Sequence, residues 1–131
     1  MSNIYIYDSH LGTKRHQKAL EKLETRLTDL GLSGKIYRLA PMTRVEEIIR
    51  DETKKGPKTI VTVGGDGLFT RVAGLLLEKQ IPLAIIPIGT ESVCAAVLGV
   101  TSENACKVLA ARRLLTLDVG KTNTGAFFLS Q

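Results

Sequence analysis

Apolar residues along the chain alternate between two spacings, short β-branched runs and longer stretches with a helical period, and the alternation itself predicts the architecture. Ile4-Tyr5-Ile6-Tyr7 reads as a strand and Asp8 to Thr13 as a polar, glycine-containing loop. From Lys14 to Leu30 the leucines fall at 20, 23, 27 and 30, one stripe of an amphipathic helix, with Gly31 placed to end it. Lys35 to Leu39 is a second strand. Thr43 with Glu46 three residues on has the form of a capping box, and Val45, Ile48 and Ile49 give the next helix its apolar face before Lys54-Lys55-Gly56-Pro57 stops it. Thr59 to Val63 is the third strand, turned by Gly64 to Gly67 into a helix over Leu68 to Lys79. Leu83 to Ile86, closed by Pro87, is the fourth. Helices are expected over Glu91 to Leu98 and Glu103 to Arg112, followed by strands at Leu114 to Val119 and Ala126 to Leu129.

Strands that alternate with helical crossovers specify a parallel sheet covered on both sides. The expected fold is therefore α/β, a three-layer α/β/α sandwich with a mostly parallel, doubly wound sheet. The 131 residues form a single domain that can bury its own core. The apolar strand so close to Gln131 suggests a fold that continues, or a truncated product.

Composition narrows the class. With 44% hydrophobic and 24% charged residues, no apolar run near the roughly 18 residues of a membrane span and no signal-peptide pattern, a cytoplasmic location is expected. Cys94 and Cys106 lack any CxxC or zinc spacing and read as reduced thiols. The net charge of +5 has no aromatic interleaving and no nucleic-acid motif. Solvated faces account for it, or attraction to anionic partners such as nucleotide phosphates or a lipid surface.

In a doubly wound sheet, ligands bind beyond the carboxyl ends of the strands. Three glycine-bearing loops fall there: Asp8 to Thr13, Gly64 to Gly67 and Gly89 to Glu91. Gly64-Gly65-Asp66-Gly67, between a strand and a helix, lets a phosphate approach the backbone while N–H groups and the helix dipole favour its charge. It matches neither GxGxxG nor the Walker pattern. Asp66 beside bound phosphates makes sense as a magnesium ligand or as a base for an attacking hydroxyl, and otherwise as a helix cap. Arg71, one turn into the helix, is either a phosphate clamp or a surface charge. His10 is a loop histidine within reach of a nucleotide or simply exposed.

Gly64-Gly65-Asp66-Gly67 followed by Pro87-Ile88-Gly89-Thr90 resembles the GGDG and PxGT blocks of the diacylglycerol kinase catalytic domain, a family of lipid kinases distantly related to NAD kinases. Ile4 to Gly12 is similar to its opening strand and Asn-Pro-x-Ser-Gly loop, Ala96 to Gly99 to its Ala-x-x-x-Gly spacing, and Leu117-Asp118-Val119-Gly120 to its Ile-Asp-Leu-Gly. The resemblance implies an N-terminal domain that holds ATP and Mg²⁺ and a C-terminal β-rich domain that completes the site for a lipid acceptor, with peripheral membrane contact. By position it implies phosphate or nucleotide contacts from Asp8, Gly12, Gly64, Gly65, Gly67, Gly89, Thr90 and Glu91, Asp66 as the base, and Asp66 with Asp118 in the metal network. Departures accompany it. Glu91-Ser92-Val93 replaces a small residue, an amide and an acid, Arg71 replaces a frequent glutamate, and Asp8-Ser9 stands where Asn-Pro is usual. These leave two further readings, a non-catalytic relative that binds nucleotide or a partner, and an NAD-kinase-like phosphotransferase.

Overall fold

The computed structural model describes residues 3–57, 59–77, 79–111, 114–118 and 124–128, the last two ranges as backbone alone. Six strands form one sheet in the order β2-β1-β3-β4-β6-β5. The strands are β1 (Asn3–Tyr7), β2 (Lys35–Arg38), β3 (Thr59–Val63), β4 (Leu83–Ile86), β5 (Leu114–Asp118) and β6 (Thr124–Phe128). The first four are mutually parallel, Ile4 pairing with Lys35 and Ile60, and Ile60 with Leu83. Every residue of β1, β3 and β4 is buried, as strands covered on both faces must be, which is why their β-branched runs show no polar alternation.

Helices α1 (Gln17–Asp29), α2 (Val45–Lys54), α3 (Asp66–Leu75), α4 (Val93–Val97) and α5 (Ala105–Ala111) make the crossovers. α1 packs with α5, while α2 and α4 pack on α3. The expected three-layer, doubly wound arrangement is what forms. The leucine stripe of α1 buries Leu20, Leu23 and Leu27 as its spacing requires. Among the described residues no helix is long and apolar enough to cross a membrane, and Cys94 and Cys106 are free thiols.

Some boundaries differ from the sequence expectation. Lys14 to His16 is a 3₁₀ turn, so α1 begins three residues later. The capping box at Thr43 and Glu46 does not form. Thr43 Oγ1 accepts a hydrogen bond from the Ala40 N–H, Arg44 occupies the cap position without a side-chain bond, and the Glu46 carboxylate is paired across to Arg71. α3 starts at Asp66, inside the glycine loop, and ends at Leu75; α4 is only five residues long. The last strand begins earlier than its apolar run, at Thr124, and inserts between β4 and β5. It is parallel to β4 through Leu83 and Phe127 and antiparallel to β5.

One polar cluster ties α2 to the edge strand. Glu52, 3% exposed, accepts from Lys35 Nζ at 3.1 Å and from the Tyr37 hydroxyl, with Lys55 Nζ at 3.6 Å. Burial pushes this carboxyl up, but the bonds from Tyr37 and Lys35 outweigh it and leave Glu52 below the usual carboxylate range. Because half of Lys35 remains in water, Glu52→Ala should cost a discounted ~1–2 kcal/mol, measurable as an earlier urea midpoint. The stabilisation is complete above the ordinary carboxylate range and is lost as pH falls through the lowered value.

Candidate functional site

Strand order reverses its direction of growth between β1 and β3, whose following helices belong to opposite layers. The crevice beyond the carboxyl ends of these strands is where such a sheet leaves room for a ligand. Backbone hydrogen bonds continue the ladder past the strand ends and bring the loops together: Asp8 N–H donates to the Val63 carbonyl at 2.9 Å and Gly64 N–H to the Ile86 carbonyl at 3.0 Å. The loops after β1, β3 and β4 therefore share one mouth.

Two glycines there are demanded by space. Gly64 has φ +144°, and a Cβ on it would sit 2.7 Å from Asp8 Cβ. At Gly65 a Cβ would meet Thr90 Cγ2 at 2.6 Å, so the methyl of Thr90 lies directly over the glycine. Around Gly67 nothing approaches within 4 Å. The first bond of α3 that reaches back into the loop runs from Phe69 N–H to the Gly65 carbonyl at 3.4 Å. Earlier amides of this ten-residue helix have no intrahelical acceptor, and they stand at its positive end. Bare backbone, free donors and a helix dipole together make a cradle for an anion.

Asp66 is the first residue of α3, and both its oxygens are engaged. Oδ1 accepts from Ser92 Oγ at 2.5 Å and from the Cys94 N–H at 3.0 Å, and Oδ2 accepts from the Val93 N–H at 2.9 Å. Ser92 Oγ accepts in turn from the Ala95 N–H at 3.0 Å. The carboxylate thus caps α4 from 26 residues away and clips the glycine loop to the Gly89–Ser92 loop. The Ser92 hydroxyl, followed by the amides of Val93 and Cys94, lowers its pKa to about 2.

The other predicted residues divide. Asp8, Gly12, Gly64, Gly65, Gly67, Gly89 and Thr90 lie on the three loops at this mouth. Glu91 is exposed and Arg71 is turned to Glu46 on α2. Asp118 ends β5, which runs antiparallel to its sheet neighbour β6. Its partner Thr124 lies three residues before Phe127, the residue beside Leu83, so the backbone sets Asp118 at the far end of the sheet from Gly64–Gly67. Among the described residues no group of three or more His, Cys, Asp or Glu side chains is gathered to hold a metal. The cradle's bare backbone and helix-start amides suit an anion, and among the described residues no carboxylate cage for a cation is built. Val119 and Gly120, the rest of that motif, lie outside the described residues.

Residue spacing did not reveal the cleft next to the loops, about 370 Å³, whose lining includes Tyr7, Asp8, Gly12, Lys14, Glu24 and Arg38. The Arg38 guanidinium lies 5.5 Å from the centroid of the Tyr7 ring. The Tyr7 hydroxyl is buried without a hydrogen-bond partner, and burial with the nearby Glu24 carboxylate raises its pKa. The only sequence signal was a tyrosine ending a strand and a basic residue ending its neighbour.

Comparisons with known proteins agree with the geometry. The crystal structure of a candidate diacylglycerol kinase from Bacillus anthracis str. Sterne superposes with a TM-score of 0.68 at 22% identity, over 88% of this chain and 41% of that one. The uncharacterized protein sll0036 of Synechocystis sp. is 32% identical over 68 residues, 50% of this chain and 16% of its own length. The chain thus spans less than half the length of either relative. The family model described as diacylglycerol kinase catalytic domain matches residues 3–122, which includes all three glycine loops. With a match over nearly its whole length and the corresponding fold, the chain belongs to the diacylglycerol kinase catalytic domain family.

Proposed function

We propose that this chain binds the triphosphate of ATP in the Gly64–Gly67 cradle and serves as the nucleotide half of a lipid kinase, which passes the γ-phosphoryl group to a lipid hydroxyl. The observation that carries the reading is the backbone cradle at the switch point, where Gly64 and Gly65 leave no room for a side chain. The neighbouring cleft of about 370 Å³ is of a size to take the nucleoside. Phosphoryl transfer rests on positioning and charge stabilisation, and this chain contributes the donor side of both. Magnesium, in this reading, takes its ligands from phosphate oxygens and water. In this reading the lipid acceptor and any contact with a membrane surface are met outside the three glycine loops.

Titration calorimetry with ATP tests the reading, and absence of binding at millimolar ATP would sink it. Gly65→Ala should weaken ATP by about tenfold, because the new Cβ occupies the bare approach to the backbone and turns the Thr90 side chain out of its place over the loop. Thr90→Ser in that background removes the colliding Cγ2 and should restore most of the loss. The capping of α4 by Asp66 and the remote position of Asp118 favour a second reading, a nucleotide-binding relative without catalysis. An ATP affinity unchanged by omitting Mg²⁺, together with no transfer to diacylglycerol or sphingosine, would select it.

A further inference from the structure

Asp8 is an acid at the mouth of a site suited to anions, and the backbone holds it there. Its N–H is bonded to Val63, its carboxylate accepts the Ser9 N–H at 2.8 Å, and its Cβ and Oδ2 lie 2.7 and 3.2 Å from where a Cβ of Gly64 would be. A carboxylate beside a bound phosphate repels it unless a cation offsets the charge. His10 is placed to do so. Its Nδ1 is 3.5 Å from Asp8 Oδ2, and its other nitrogen, Nε2, is 3.1 Å from the position of a Cβ on Gly89. The ring therefore bridges the acid on the first loop and the bare glycine of the third. His16 meets it edge-on, with ring centroids 5.7 Å apart and Cε1 at 2.8 Å from the same Gly89 position.

We propose that His10 is the proton-carrying counter-charge of the phosphate site, holding Asp8 through Nδ1–H and, when protonated, donating Nε2–H to a nucleotide phosphate. Binding then takes up one proton from solvent. The inference rests on the nucleotide reading and adds to it a residue and a pH dependence. The surroundings assign the proton. Asp8 stands on the same turn, and His16, on the next, is a second imidazole set edge-on to the first. Lys14 and Arg15 on that turn are exposed. Lys22, Arg26 and Glu103 line the cleft behind Gly89, Asp66 is held by α4, and Glu91 is exposed. Among these, the two histidines are the groups that ordinarily titrate between pH 5 and 8, and His10 alone has the Asp8 contact.

The test is ATP calorimetry without Mg²⁺ on the whole chain between pH 6 and 8.5, in paired buffers of different ionisation enthalpy, with thermal melts to verify folding. The unsubstituted chain should lose about tenfold more affinity across this range than His10→Gln does. The His10→Gln comparison removes the contribution of ATP's own last proton. His10→Lys should bind ATP well at pH 8.5, and Asp8→Asn combined with His10→Gln should recover affinity while keeping the slope of His10→Gln, which is the ligand's own. Equal slopes and equal proton uptake in the unsubstituted chain and His10→Gln would overturn the proposal, as would a slope removed by His16→Gln instead. If ATP binds to none of these proteins at any pH, the nucleotide reading fails and takes this inference with it; binding with an unaltered slope overturns this inference alone.

Discussion

Gly64→Ala is expected to lower the unfolding free energy by about 2–4 kcal/mol and to eliminate measurable ATP binding. Two penalties combine. The residue holds φ +144°, a backbone region that side-chain-bearing residues avoid, and the added methyl would lie 2.7 Å from Asp8 Cβ, an atom fixed to the backbone. Neither strand can give way without loss, because Asp8 N–H is bonded to Val63 and Gly64 N–H to Ile86. Gly65→Ala makes the contrast. Its collision is with the end of the exposed Thr90 side chain, which can rotate, so its stability should change by less than about 1 kcal/mol while binding suffers. Urea unfolding of the two variants checks this, and equal stabilities would contradict it.

Asp66→Ala should release α4 from the glycine loop. A five-residue helix has too few internal bonds to persist unaided, so the amides of Val93 and Cys94 should exchange with solvent at least about tenfold faster. Asp66→Asn, which keeps one acceptor oxygen, should fall between. Acid provides an independent signature. A carboxylate with its pKa lowered to about 2 contributes stability that is complete above the ordinary carboxylate value near 3.8 and is lost as pH falls through about 2. Acid unfolding of the unsubstituted chain should show that limb, and Asp66→Asn should lack it. If Asp66 served as a base alone, Asp66→Asn would remove turnover in a complete enzyme while leaving the Val93 and Cys94 amides protected. Loss of both identifies the clip.

The strands and the sheet class were legible because β1, β3 and β4 are buried on both faces, and burial on both faces selects the β-branched runs that mark them. The glycine loop was legible for a similar reason, since absent side chains leave a trace in the sequence. What escaped were pairings over long separations. Glu46 carries the capping-box spacing to Thr43, yet Arg71, 25 residues on, takes its carboxylate. Asp66 is expected from its motif to be a metal ligand or base, and nothing in its neighbourhood announces the amides of Val93 and Cys94 as its partners. His10 looked like an ordinary loop histidine because its relation to Gly89 exists only once β1 and β4 are aligned through β3. The reversal at β5 was hidden as well: an apolar run fixes a strand but not its direction, and direction is what separates Asp118 from the loops.

The insertion of β6 between β4 and β5 also constrains the order of events during synthesis. β5 leaves the ribosome before its sheet neighbour exists, and until residues 124–128 follow, β4 presents an open edge and β5 has nothing to pair with. The four parallel strands, with the three glycine loops, can assemble from the first hundred residues or so, but β5 joins the sheet only when residues 124–128 slot in beside β4. A nascent chain from which β5 has emerged while residues 124–128 are still enclosed would therefore combine a formed crevice with an exposed pairing edge, a state open to association with other chains.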